Sequence, residues 1–124
     1  MKPSILIADD EILIRQSLAN FLSRDYTVYQ ASNGLEALTI FRENKGIELV
    51  LSDVRMPEMD GMELLEKIRS DNNDMVVILM TAYFTDELAA EAKRRGAYDC
   101  ISKPFALNEL EVAIKNVLRE KKAH

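Results

Sequence analysis

Cysteine and histidine are almost missing from this 124-residue chain, which has one of each: Cys100 and the terminal His124. A lone cysteine forms no internal disulfide and supplies no cysteine cluster for structural zinc, which fits a reducing compartment. A lone terminal histidine excludes Ser-His-Asp and Cys-His triads, histidine metal sites and a phosphohistidine relay within the chain. Whatever chemistry the chain supports must run on carboxylates, Lys, Arg, Thr and Ser. Glycine is scarce as well. Gly34, Gly46, Gly61 and Gly96 stand alone, so there is no phosphate cradle of the P-loop or dinucleotide type, and nucleotide binding is disfavoured. No apolar run approaches the ~18 residues needed to span a bilayer, and the apolar stretch after Met1-Lys2-Pro3-Ser4 is too short for a signal peptide. A cytoplasmic protein without membrane contact is expected.

What is present is ordinary for a globular protein. Hydrophobic residues make up 48% and charged residues 30%, which argues against disorder and fibrous repeats. The length predicts one domain over residues 1–124. Sixteen basic residues against twenty-one acidic ones leave a net charge of −5, which repels nucleic-acid backbones, so no direct nucleic-acid binding is expected.

Five short apolar runs begin at Ser4, Thr27, Leu49, Val76 and Tyr98. Their spacing leaves room for one helix and two short loops between successive strands. The first and fourth runs are continuous rather than alternating, as strands covered on both faces must be. Helical stripes lie between and after them: Ile14, Leu18, Phe21 and Leu22; Leu35, Leu38 and Phe41; Met62, Leu65 and Ile68; Leu88, Ala89 and Ala92; and Leu107, Leu110, Ile114, Val117 and Leu118. Asn108 and Glu111 stand at capping-box spacing near the start of the last. The alternation predicts an α/β fold, with a five-stranded parallel sheet and helices on both faces.

In such a sheet the ligand site lies beyond the carboxyl ends of the strands. There the sequence puts Asp9-Asp10-Glu11 after the first strand, Asp53 after the third, Thr81 after the fourth and Lys103-Pro104 after the fifth. Asp9 and Asp10 could simply cap a helix, although one Asp would suffice. Three converging carboxylates repel one another, and a hard divalent cation such as Mg2+ relieves that repulsion. Glu11 reads as the start of the helix. Asp53 could be an ordinary loop acid; beside Mg2+ its carboxylate could attack phosphorus and form an aspartyl phosphate. Its following segment, Val54 to Gly61, holds proline and an Asp60-Gly61 turn pair that keep it from being helical. Lys103, held by the adjacent Pro104, would pair with Asp53 or a phosphoryl oxygen. Thr81 alone is uninformative, since threonine suits strands.

Asp9-Asp10, Asp53 within Asp-Val-Arg-Met-Pro-Glu-Met-Asp-Gly, Met80-Thr81-Ala82 and Lys103-Pro104-Phe105 together resemble the receiver domain of two-component response regulators. The resemblance runs from Ile5 to about Leu118, and from Asp53 to Phe105 it looks most like receivers of regulators of sigma-54-dependent transcription. It implies a flavodoxin-like fold with strand order 2-1-3-4-5 and a phosphorylation-controlled switch rather than an enzyme with its own substrate. By position, Asp53 is the implied phosphoacceptor. Asp9, Asp10, Asp53 and the backbone carbonyl of Arg55 are the implied Mg2+ ligands. Lys103 is the implied phosphoryl contact, Thr81 the hydroxyl that moves on switching, and Ala82 the small residue the pocket needs. It also implies a cis Lys103-Pro104 bond. The implied phosphodonor is a histidine kinase or histidine phosphotransfer protein, the implied output is an effector or output domain, and a weak homodimer on activation is allowed for. The family usually carries Tyr or Phe three residues before the lysine. This chain has Cys100 there, so Tyr83 or Phe84 is expected to supply the aromatic part of the switch while Cys100 packs under the fourth helix.

Two other functions are compatible with this topology. A flavin-binding electron carrier would need a Ser/Thr/Gly-rich first loop, where this chain has Asp9-Asp10-Glu11. A Mg2+-dependent phosphatase with an aspartyl nucleophile usually needs an acid two residues after it, where this chain has Arg55.

Overall fold

The computed structural model describes residues 2–123; Met1 and His124 lie outside them. Five strands and five helices alternate: β1 (Ser4–Ala8), α1 (Ile12–Leu22), β2 (Thr27–Ala31), α2 (Gly34–Glu43), β3 (Ile47–Asp53), α3 (Gly61–Asp71), β4 (Val76–Thr81), α4 (Asp86–Arg94), β5 (Asp99–Ser102) and α5 (Leu107–Ala123). The strands form one sheet in the order β2-β1-β3-β4-β5, and every pairing is parallel. The α/β class, the strand order and the helices on both faces agree with expectation.

The sheet separates two apolar cores, which explains why β1 and β4 read as unbroken hydrophobic runs. In β1, Ile5 and Ile7 join one core with Leu18 and Leu22 of α1 and Leu110, Ile114 and Val117 of α5. Leu6 and Ala8 point the other way and join Leu38 of α2, Leu64, Leu65 and Ile68 of α3, and Ala92 of α4. Val77 and Leu79 of β4 alternate with Ile78 and Met80 in the same manner. Each fully buried Leu or Ile contributes about 1.5–3 kcal/mol relative to exposure, so both cores help fix the register.

Two helix details differ from the sequence reading. Leu35 is 48% exposed rather than on the core face of α2. Gly34 takes the inward place, because a Cβ there would lie 2.0 Å from the carbonyl oxygen of Met59. Only a glycine permits that approach, and the next residue is turned about 100° outward. Asn108 is no cap either: α5 begins at Leu107 and its first bond runs from Leu110 N–H to the Ala106 carbonyl, which places Asn108 in the first turn.

Candidate functional site

The carboxyl ends of β1, β3, β4 and β5 meet at one edge of the sheet and bring the sequence-selected residues together. Asp9 is fully buried, Asp53 is 7% exposed and Asp10 is open to solvent. Each offers a carboxylate oxygen within 4.8 Å of the others. Asp9 does not cap α1 through its first-turn amides; its Oδ1 accepts from Glu11 N–H at 2.9 Å, the bond of an Asx turn. Glu11 stands at the helix start, as expected, and makes no side-chain cap bond.

Lys103 follows the last residue of β5, and its backbone N–H donates to the Thr81 carbonyl at 2.8 Å. The Lys103-Pro104 peptide is cis, in accord with the sequence expectation. The ammonium group lies 2.8 Å from Asp9 Oδ2, 2.9 Å from Asp53 Oδ2 and 3.6 Å from Glu11 Oε1. Burial alone would push the lysine toward its neutral form, but the bonds to Asp9 and Asp53 outweigh it and hold the ammonium charged above its ordinary range. Burial is also the main influence on Asp53 and pushes its carboxyl up; Lys103 acts in the opposite direction, and the Asp9 charge adds to the rise.

The backbone around Asp53 is held by contacts that leave no slack. Val54 N–H donates to the Met80 carbonyl at 2.9 Å, and Gly61 N–H donates to the Val54 carbonyl at 2.8 Å. A Cβ on Gly61 would lie 2.2 Å from the Asp53 carbonyl oxygen. The Asp60-Gly61 pair therefore does not make the expected turn: Asp60 caps α3 by accepting from Glu63 N–H at 2.9 Å, and Gly61 opens the helix against the acceptor strand. The loop before it does stay non-helical, with Glu58 in the left-handed region at φ 69°.

Thr81 is almost fully buried, and its Oγ1 accepts from Tyr83 N–H at 3.0 Å. Tyr83 is 65% exposed, and the Arg55 guanidinium lies 4.6 Å from its ring centre. Asp10, Asp53, Arg55, Thr81, Ala82 and Tyr83 line one open cavity of about 430 Å³. Cys100 is buried in the core that contains Ala92 of α4, which agrees with packing under that helix. Sequence reasoning passed over Arg15, whose Nη1 donates to the Asp9 carbonyl at 2.9 Å. An arginine on an exposed helix face carries no signal of such a bond. The close approach of Gly61 was hidden behind its reading as a turn residue.

A parallel sheet in this strand order, with three acids, a threonine and a lysine at its carboxyl edge, is of the flavodoxin-like class and places a charged pocket where such sheets bind ligands. The family model for the response regulator receiver domain matches residues 5–115. The chain is 43% identical over 116 residues to the regulatory protein AtoC of Escherichia coli (strain K12), covering 93% of this chain and 25% of that protein. It is 38% identical to sporulation initiation phosphotransferase F of Bacillus subtilis (strain 168), covering 95% of both chains. A solved response regulator receiver domain protein from Clostridium thermocellum superimposes with a TM-score of 0.90 at 35% identity, over 97% of each chain. The chain belongs to the response regulator receiver domain family and is a phospho-accepting signalling switch. Neither the flavin carrier nor the phosphatase is favoured by these likenesses. Receiver domains bind Mg2+ at their acidic pocket and work with histidine kinases or phosphotransfer proteins. Among the described residues, no helix is long and apolar enough to cross a membrane.

Proposed function

We propose that Asp53 accepts the phosphoryl group, that the donor is the phosphohistidine of a histidine kinase or histidine phosphotransfer protein, and that residues 1–124 act as one receiver unit. The observation that carries this reading is the Lys103 ammonium lying within 3 Å of both buried acids, Asp53 and Asp9, at the carboxyl edge of the sheet. A carboxylate oxygen of Asp53 attacks phosphorus, a P–O bond forms as the P–N bond breaks, and the donor imidazole leaves with the bonding electron pair on its nitrogen and takes up any proton it needs from solvent. Hydrolysis reverses the state: water attacks phosphorus, inorganic phosphate departs and the carboxylate is regenerated. No separate substrate is turned over.

The donor set fits Mg2+, since Asp9, Asp10 and Asp53 present hard oxygen ligands from converging carboxylates. With the Arg55 carbonyl as a further oxygen, these residues would hold the ion. When bound it neutralises charge on the transferring phosphoryl oxygens. Lys103 holds Asp53 in place before transfer and is positioned to pair with a phosphoryl oxygen afterwards. Thr81 supplies a hydroxyl at the end of the neighbouring strand, and Ala82 leaves room beside it.

The test is phosphotransfer from a labelled phosphohistidine donor in Mg2+. The wild type should take up label and Asp53→Asn should not. Equal labelling of the two would overturn the assignment.

A further inference from the structure

The Asp9-Asp10 pair sits where the ladder between β1 and β2 stops. Asp9 N–H still bonds across it, donating to the Ala31 carbonyl at 3.1 Å. The next rung of a parallel ladder would run from Asn33 N–H to the Asp9 carbonyl. β2 ends at Ala31, however, and Asn33 is already the cap of α2. A side chain takes the place of that rung. Arg15, in the first turn of α1, donates from Nη1 to the Asp9 carbonyl at 2.9 Å and from Nε to Gln30 Oε1 of β2 at 3.3 Å. The planar guanidinium thus ties the end of β1 to β2 with two donors held in one rigid fork.

The consequence falls on Asp10. The carbonyl that Arg15 holds belongs to the peptide joining Asp9 to Asp10, so the bond sets the plane from which the Asp10 side chain departs. Asp9 and Asp53 have Lys103 to orient their carboxylates. Asp10 is open to solvent, and among the described residues no hydrogen bond or ion pair reaches its carboxylate. One of its oxygens nevertheless stands within 4.8 Å of the other two acids.

We propose that Arg15 is a positioning residue of the metal site: it braces the Asp9-Asp10 peptide against β2 and so aims Asp10 at an ion shared with Asp9 and Asp53. The inference rests on that trio being the Mg2+ site. By charge alone an arginine beside three acids works against a dication, since like charges repel. Its bond works in favour of the ion. The two effects have opposite signs, and removal of the side chain shows which one prevails.

Mg2+ is titrated calorimetrically into the full chain as wild type, Arg15→Ala and Arg15→Lys, with melts in metal-free buffer to establish that each variant is folded. Arg15→Ala should bind Mg2+ about tenfold more weakly, although it has lost a positive charge. Arg15→Lys keeps the charge but lacks the fork, and it should also bind more weakly than the wild type. Labelling by acetyl phosphate should show the same split. The Mg2+ concentration for half-maximal rate should rise about tenfold in Arg15→Ala, while the rate at saturating Mg2+ stays within about twofold of the wild type's. A saturating rate that falls and cannot be restored by Mg2+ would mean general loosening of the site and would overturn the positioning role. Wild-type or tighter Mg2+ affinity in either folded variant would overturn the inference and leave the trio as the metal site. A wild-type chain that gives no Mg2+ isotherm would overturn the metal reading and the inference with it.

Discussion

Lys103 Nζ is shared almost equally between two carboxylates, 2.8 Å from Asp9 Oδ2 and 2.9 Å from Asp53 Oδ2, with only 9% of its side chain exposed. The lysine is thus the internal counter-charge of a site built to hold more negative charge than it compensates. A buried pair of this kind stabilises little relative to an apolar replacement, but removal of one partner strands the other. Lys103→Ala should cost about 3 kcal/mol of stability in metal-free buffer. Mg2+ should restore more of that loss than it adds to the wild type, because the ion takes over the counter-charge. Thermal melts with and without Mg2+ check this; an equal gain in both proteins would contradict it.

Asp10 is exposed and belongs to the acidic trio without pairing to Lys103. Asp10→Ala should leave the fold intact, with stability changed by no more than about 0.5 kcal/mol. It should abolish Mg2+ binding and, with it, phosphorylation. Calorimetric titration decides the point, and an unaltered binding isotherm would remove Asp10 from the ligand set.

The carboxyl of Asp53 is raised above its ordinary value of 3.8, first by burial. A raised folded-state pKa means that ionisation opposes folding. The stability associated with protonated Asp53 is complete below the unfolded value and is lost as pH rises through the folded one. Asp53→Asn should therefore gain on the wild type as pH climbs through and just above 3.8 in metal-free buffer. Paired melts across that range measure the difference, and a constant difference would contradict the predicted linkage. Mg2+ affinity should fall with acidification over the same window, as protons compete for the carboxylate.

Gly61 has no room for a side chain, since a Cβ would lie 2.2 Å from the Asp53 carbonyl oxygen. Gly61→Ala must push β3 and α3 apart at the acceptor, at a cost of about 3 kcal/mol. Gly46, around which a Cβ would meet nothing within 4 Å, supplies the control. Gly46→Ala should be nearly neutral and phosphorylate normally, while Gly61→Ala should lose both stability and phosphorylation rate.

Much of this site was legible because strand ends announce themselves. The continuous apolar runs Ile5 to Ala8 and Val76 to Met80 fix two-sided burial, and the polar residues that terminate them fall at one edge by the geometry of parallel connections. Asp9, Asp53, Thr81 and Lys103 were found on that basis. Contacts set by tertiary approach left no such trace. Leu35 fits the helical period of Leu38 and Phe41, yet Gly34 takes the inward position against Met59, which no local pattern encodes. Asp60-Gly61 is as good a turn signal as a cap followed by a close-packed glycine, and only the position of Asp53 decides between them. The bond from Arg15 to the Asp9 carbonyl depends on a side chain reaching back across a helix turn to a strand end.

Asp53 alone is proposed to carry the phosphoryl group. Acyl phosphates are reduced by borohydride, which converts a phosphorylated aspartate to homoserine and leaves free carboxylates untouched. The chain should be phosphorylated with acetyl phosphate and Mg2+, reduced, digested and sequenced by mass spectrometry. Homoserine should stand at position 53 and nowhere else; homoserine at position 9 or 10, or phosphorylated protein with position 53 still aspartate, would overturn Asp53 as the sole acceptor.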